Sequence, residues 1–420
     1  MLKSSNATEL LAPAGSFEKL KYALEFGADA VYAGLPDFSL RARINKFDEK
    51  NIIEAINYTH CKNKKIYLTL NIFARNDHLK NMEKHLRNLK NNPPDALIIS
   101  DPGVIEIAKK ILPKVKIHLS TQANTTNWQT AKAWHKMGIE RIVLARELSL
   151  EEIQEIHRRV PKLELEYFVH GAMCMAYSGR CFLSAWQTGR SSNLGDCAQN
   201  CRWKYQLVEE KRPNEYIPIE QDQHGSYFLN SKDLCLIEYL EELENAGITS
   251  FKIEGRAKSV YYLSQVVKAY QQALQIKPNT KNKKTEIKKL KKDLDKLLNR
   301  TFTTGFLFNE CKNKGQETRF SHLKEKHLFI GEALESKRKI KKTGLNFRLV
   351  KIKVHNAIFV GDKIEFIQPK KDNIFCKIKN IYECETLEKL KSAHGGQERT
   401  VYIEVSKTPK KFSVLRKKLN

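Results

Sequence analysis

Eight short apolar runs, each followed by a helical pattern, fill the first 276 residues, and this alternation constrains the fold more than any other feature. The runs are ELLAPAG from Glu9, AVYAG from Ala30, KIYLTLN from Lys65, DALIISD from Asp95, KIHLSTQ from Lys116, RIVLARE from Arg141, LELEYFVHG from Leu163 and SFKIEGR from Ser250. Strands that alternate with helices demand a parallel sheet covered by those helices. Eight such units in this length predict an α/β fold closed as a (β/α)8 TIM-type barrel. An open doubly wound sheet is the alternative, but no glycine-rich dinucleotide fingerprint follows the first run.

The strand faces point to closure. In KIYLTLN, Ile66, Leu68 and Leu70 share one face, and Tyr67, Thr69 and Asn71 share the other. KIHLSTQ sets His118, Ser120 and Gln122 opposite Ile117 and Leu119, and SFKIEGR sets Lys252, Glu254 and Arg256 opposite Phe251 and Ile253. Apolar faces pack under helices; polar faces point into the barrel, with their last members at the C-terminal rim, where active sites of this fold are built. A barrel tolerates some polar lumen residues. Three strands at once, one of them charged, point to a site at that rim. The rim also receives Arg146 after the sixth run and His170 at the end of the seventh.

The seventh run leads into a stretch without periodicity, VHGAMCMAYSGRCFLS, followed by CAQNCRW. Four of the nine cysteines fall here, spaced C-x6-C-x15-C-x3-C over Cys174, Cys181, Cys197 and Cys201. A glycine-rich loop can fold four thiolates round one centre. Structural zinc usually shows tighter pairs than these, which only Cys197 and Cys201 approach. No run is apolar for long enough to span a membrane, and the N-terminus shows no signal-peptide pattern. A cytoplasmic location is therefore expected, where thiols stay reduced and disulfides are disfavoured. Zinc, free thiols, disulfides and an iron–sulfur cluster all remain open on spacing, with the cluster favoured. Cys61 and Cys235 fall in helix patterns and Cys376 in an apolar strand, as small core residues. The pattern gives no role to Cys311 or Cys384.

Lysine and arginine total 74 against 48 acidic residues, a formal charge of +26. Such an excess supplies sequence-independent affinity for phosphates and favours a nucleic-acid partner. Much of it lies past the barrel, where Ile287, Leu290, Leu294 and Leu297 form a narrow apolar stripe on a very basic helix. From about Lys326 the pattern turns to short strands. The expected organisation is a barrel over 1–276 with a Cys-rich insertion at 170–230, a basic helical linker and irregular connection over 277–326, and a small β-barrel domain over 327–420.

The segments EYFVHGAMCMAYSGRCFLS, KIEGR and the opening ELLAPAG…GADAVYAG resemble the collagenase-like U32 peptidase family across essentially the whole chain. HGAMCMAYSGRC, HGSYFLNSKDL from His224 and FKIEGRAKSVYY are most similar to the branch that hydroxylates tRNA. The resemblance implies an enzyme that converts the wobble uridine in the anticodon loop to 5-hydroxyuridine. Prephenate, a small dicarboxylate, would be the hydroxyl donor, without molecular oxygen. It also implies an iron–sulfur cluster, of 4Fe–4S type, on Cys174, Cys181, Cys197 and Cys201. Candidate catalytic residues are then His170, Glu254 and Gln122. Arg146, Arg180, Lys252 and Arg256 are candidates for the dicarboxylate, and Asn71, with Gln122, for the pyrimidine. The segment between Cys201 and His224 is shorter than in many members, and Cys235 is an extra thiol near the block. The alternatives are a U32-type peptidase, hydroxylation of an rRNA cytidine by a typically longer branch, and a non-catalytic RNA-binding protein with a structural metal. For a peptidase the chain offers no GxSxG elbow and no HExxH helix, only His170 with Ser178 or Ser184 as a conceivable dyad.

Overall fold

All eight expected strands form, as β1 (Glu9–Pro13), β2 (Ala30–Ala33), β3 (Lys65–Leu70), β4 (Ala96–Ile99), β5 (Lys116–Leu119), β6 (Arg141–Val143), β7 (Glu164–Ala172) and β8 (Ile248–Ile253). They pair in parallel in sequence order, and β8 closes the ring by pairing with both β7 and β1. The computed structural model describes residues 8–40, 42, 45–174, 176–203, 207–210, 212–217, 231–277, 280–308, 323, 326–337 and 349–419. Cys311 and the whole segment from His224 to Asn230 that precedes SKDL lie outside these residues. The helices are α1 (Phe17–Phe26), α2 (Glu49–Cys61), α3 (Asn76–Asn88), α4 (Pro102–Ile111), α5 (Trp128–Lys136), α6 (Leu150–Arg159), α7 (Leu183–Thr188), α8 (Leu240–Asn245), α9 (Val260–Gln275) and α10 (Lys283–Leu294). Local signals set several of their ends. Ser16 caps α1, which stops at left-handed Gly27, and Asp48 and Ser149 close capping boxes on α2 and α6. No helix among the described residues is long and apolar enough to cross a membrane.

The period-2 reading places the strand side chains correctly. Ile66, Leu68, Leu70, Ile117, Leu119, Phe251 and Ile253 join the apolar layer between strands and helices. Leu11, Ala30, Tyr32, Tyr67, Ala96 and Ile98 form a separate cluster inside the lumen. Beside it lies a buried charge network. Arg141 Nη1 donates to Glu9 Oε1 at 2.6 Å and to Glu166 Oε2 at 3.2 Å. Glu166, fully buried, also accepts from Lys252 Nζ at 2.6 Å. Tyr67 Oη (2.7 Å) and Ser250 Oγ (3.0 Å) donate to Glu9. Burial opposes ionisation of Glu9, but Arg141, Tyr67 and Lys65 overcome it and hold the carboxyl below its usual range.

Three expectations need correction. The stretch from Ser231 does not open a helix: Asp233–Cys235 is a strand, antiparallel to the end of β7, and only α8 is helical. Ladder bonds to an overlong β7 outweigh the local helical periodicity here. Cys235 is buried as expected, but Cys61 ends α2 exposed. The stretch read as a linker also contributes to the barrel's core. Leu294, Leu297 and Leu307 join the main apolar cluster, and α10 packs on α9.

The C-terminal strands build one antiparallel sheet of eight, from Ile374–Lys377 at one edge to Lys389–Leu390 at the other. It is a half-barrel: among the described residues the two edges do not pair. It docks on α1 and α9 through Arg416, which is fully buried. Arg416 donates to Glu365 (2.8 Å) and to the Tyr261 hydroxyl (3.3 Å). Tyr261 stacks on Phe329 at 5.3 Å, and Phe412 meets Tyr22 edge-on at the same distance.

Removing one member of a buried ion network strands the others. Arg141→Ala is expected to destabilise the protein by about 3–5 kcal/mol, read from urea unfolding. Arg141→Met combined with Glu9→Gln, which leaves the Glu166–Lys252 pair intact, should lose much less. Equal losses for the two would mean that packing, not charge, sets the cost.

Candidate active site at the barrel mouth

A cavity opens at the C-terminal ends of the strands, and the residues that reach it come from most of the ring. Asn71 follows β3, Ser120 and Gln122 follow β5, Arg146 follows β6, and Lys252, Glu254 and Arg256 come from β8 and the turn after it. Above them the insertion after β7 folds back over the mouth. Its four cysteines, Cys174, Cys181, Cys197 and Cys201, all line the same cavity. Ten of the twelve candidate site residues, all but His170 and Arg180, are thus brought together.

His170 and Arg180 do not line it. Strict alternation from Glu166 and Phe168 would aim His170 inward. A β-bulge intervenes: Lys252 pairs with Phe168, but Ile253 pairs with His170. One extra residue on β7 flips the side chain to the outer face. His170 sits there, buried, with Tyr262, Tyr270 and Phe302 around it. The Tyr270 hydroxyl donates to Val169 O at 2.8 Å and lies 3.3 Å from His170 Nδ1. No hydrogen bond joins His170 to Ser178 or Ser184, so the conceivable dyad is not assembled. Arg180 turns its guanidinium onto the Gln122 carbonyl, at 3.1 and 2.7 Å, and so ties the insertion to β5.

The remaining cations differ in availability. Lys252 lies 4.2 Å from the Tyr32 ring centroid, and its ammonium is committed to Glu166. Burial pulls its pKa down against that pairing. Arg256 donates to Thr69 Oγ1 at 3.1 Å and to the Leu40 carbonyl. Arg146 donates to Ala172 O at 2.9 Å. A carbonyl partner orients a guanidinium without cancelling its charge, so Arg146 presents positive charge to the cavity, which Arg256 also lines. Asn71 bridges the Leu40 amide (3.2 Å) and Ser120 Oγ (3.3 Å).

The cysteine loops are held by side-chain bonds. The Glu147 carboxylate accepts from Ser178 N at 2.6 Å and from Ser178 Oγ at 2.8 Å, fixing a left-handed turn at φ 43° between Cys174 and Cys181. Asn193 Oδ1 accepts from Cys181 N at 3.2 Å, and Ser192 Oγ donates to Cys181 O at 2.6 Å. Gln199 N donates to Cys197 Sγ at 3.3 Å. The Cys201 thiol is pushed up by burial first and by the neighbouring cysteines, against the pull of Arg202. Among the described residues no three His, Cys, Asp or Glu side chains are close enough to hold a single metal ion. A tetrahedral zinc would draw its sulfurs to about 3.8 Å from one another. Four thiols on the wall of one cavity are a donor set of the kind that thiolate-bound metal centres use.

Sequence reasoning missed several lining residues. Thr69 and Ser120 lie on the faces already read as inward and were recoverable by period 2. Leu40, Ser192 and Asn200 belong to aperiodic loops and carried no signal.

The family model described as Peptidase family U32 matches residues 15–317, and that of the Peptidase family U32 C-terminal domain matches residues 325–416. The chain is 37% identical to the tRNA hydroxylation protein P of Escherichia coli over 94% of this chain and 93% of that one. It is 44% identical to the tRNA hydroxylation protein P of Helicobacter pylori over 72% of each. A protein of Porphyromonas gingivalis named collagenase is 30% identical over 96% of each.

The placement of His170 has a pH signature. Burial, only partly offset by Asp233, lowers its pKa from 6.5 to about 4. Between those values the unfolded chain binds a proton that the folded chain does not. The contribution is complete above pH 6.5 and falls away as the pH drops towards 4, by about 3 kcal/mol in all. His170→Gln should flatten that limb of the stability–pH curve. An unchanged limb would show that His170 is protonated within the fold.

Proposed function

The chain belongs to peptidase family U32, and on that premise we propose that it is an RNA-hydroxylating enzyme whose substrate is the wobble uridine of tRNA. Prephenate would give the hydroxyl, and Cys174, Cys181, Cys197 and Cys201 would hold an iron–sulfur cluster. The observation that carries this reading is one cavity lined jointly by four thiols and by the arginines of the barrel rim. Likeness to tRNA hydroxylation proteins, over 94% of this chain in one case and 72% in another, supports it. The Ser–His pair that the rival peptidase reading would use is not assembled: Ser178 is engaged by Glu147, Ser184 Oγ accepts from Ala198 N at 2.9 Å, and His170 faces away.

Within this site Arg256 and Arg146 would take the two carboxylates as charge-assisted bonds. Lys252, neutralised by Glu166, would form the floor. Asn71 and Gln122 would orient the pyrimidine edge. Glu254, which lines the cavity, would accept a proton from the base. Replacing C5–H by C5–OH is a two-electron oxidation, so either the donor leaves reduced or an acceptor takes the electron pair. A bound iron–sulfur cluster supplies redox and Lewis-acid chemistry beside the cavity. The wobble base is already unpaired, so drawing it into the mouth costs less than extruding it from a duplex.

Anaerobically purified protein should be brown, with roughly four iron and four sulfide per chain for a 4Fe–4S cluster. Serine at any one of the four lining cysteines should bleach it, whereas serine at Cys235, buried behind β7, should not. One zinc per colourless chain would reject the cluster.

Arg256→Ala should lower 5-hydroxyuridine in tRNA roughly ten- to a hundredfold while colour and tRNA binding persist. Cells unable to make prephenate should show the same loss, restored by added prephenate. Hydroxycytidine appearing in rRNA instead would move the substrate to the ribosome, and peptide cleavage abolished by Ser178→Ala would favour the peptidase.

A further inference from the structure

The insertion that carries the cysteines also carries four aromatic rings that the fold leaves in water. Phe182 and Trp186 are each 79% exposed, Tyr177 52% and Trp203 46%. Rings left in water forgo burial, the main stabilisation that such side chains offer, so a cluster of them marks an interaction surface. Phe182 and Trp186 stand one helical turn apart, joined by the Trp186 N–H to Phe182 O bond (2.9 Å). They share a face of α7, while Leu183 and Ser184, on another face, line the cavity. Trp203 follows the Asn200–Arg202 turn, which is tied to α7 by the bond from Asn200 Nδ2 to Gln187 Oε1 (2.7 Å). Phe182 directly follows Cys181, and Trp203 lies two residues past Cys201, both thiols of the cavity wall. The rings therefore border the mouth.

We propose that Phe182, Trp186 and Trp203 form a stacking platform for the unpaired nucleotides that flank the base entering the cavity. This rests on the tRNA reading above and assigns the surface that reading lacks. Unpaired bases offer apolar faces joined by anionic phosphates, and proteins hold them with aromatic rings set among cations. Two arginines belong to the same insertion: Arg190, which pairs with Asp196 at 3.1 Å, and Arg202, whose Nη1 donates to Gln199 Oε1 at 2.6 Å. The chain's +26 excess complements a polyanion. A protein partner would instead favour a patch depleted of charge at its centre.

The test compares two RNA probes, an anticodon stem–loop and the same stem as an uninterrupted duplex, by fluorescence anisotropy on the holoprotein. Trp186→Ala, and separately Trp203→Ala, should weaken stem–loop binding roughly tenfold. Duplex binding and the salt dependence of both should stay as in wild type, because stacking neutralises no phosphate. Trp186→Tyr should restore most of the loss. The iron content of each variant checks that the cysteine loops are intact. If the variants bind the stem–loop as tightly as wild type while wild type still forms 5-hydroxyuridine, the platform is wrong and the hydroxylase reading stands. If wild type prefers neither probe and makes no hydroxylated nucleoside, both fall. If wild type is a dimer that Trp186→Ala dissociates, the rings are a protein interface and the platform is overturned.

Discussion

Everything at the mouth of this barrel rests on the ion network in its lumen. A parallel ring of eight strands must fill its interior, and here β1, β6, β7 and β8 fill part of it with Glu9, Arg141, Glu166 and Lys252. Two carboxylates and two cations balance, so the network is stable only as a unit. It ties the strands that flank the closure to one another. It also forms the floor of the cavity, since Lys252 is both the last member of the network and a lining residue. A lysine spent on Glu166 is not free to capture a substrate carboxylate. On the function proposed above, that duty would pass upward to Arg146, held by the Ala172 carbonyl, and to Arg256 at the rim. A dicarboxylate would then meet its counter-charges near where chemistry at a nucleobase would occur.

The insertion over the mouth is held together differently. It has little regular structure, and polar side chains do the work of a ladder: Glu147 on Ser178, Asn193 on Cys181, Arg180 on Gln122. Backbone bonds from Phe73 to Asn193 and from Ala42 to Gly195 anchor it to the loops of neighbouring barrel units. Several of these anchors belong to the barrel, so the positions of the thiols are inherited from the rigid ring below. A metal centre held by these thiols, as proposed above, would therefore take its position from the barrel.

What the sequence revealed, and what it hid, follows from which forces are periodic. Burial on a strand repeats every second residue, so Asn71, Gln122, Lys252, Glu254 and Arg256 could be placed together before any coordinates. One bulge in β7 was enough to send His170 to the other side of the wall, because a bulge is a local register event without a composition signal. The strand at Asp233–Cys235 was hidden for a related reason. Its partner is the overhang of β7, and Arg300 on the Asp233 carboxylate lies 67 residues away in sequence. Long-range pairing of that kind leaves no local pattern. The convergence of the cysteines was legible in their spacing, but the side chains that fix the loops were not.

Charge and shape also divide the work of recognition. Of the lysines on α10, Lys291 is paired with Glu238 and Lys283 with Glu241, whereas Lys284, Lys288, Lys289 and Lys292 are exposed. Ile287 and Leu290 pack this helix onto the barrel, so its lysines are displayed from a fixed position. Exposed lysines attract any phosphate backbone, and their pull fades with salt. They cannot choose an unpaired base over a paired one. Discrimination must come from elements that a duplex cannot satisfy: a cavity that admits a base only when it is free of its neighbours, and rings that stack only on exposed faces. Both lie on the barrel mouth and its insertion, and the insertion is the one element that carries thiols and rings together. If the thiols carry the chemistry and the rings the selection, as proposed above, the placement of Cys181 beside Phe182, and of Cys201 near Trp203, would couple the two, because the same short loops must be correctly folded for either.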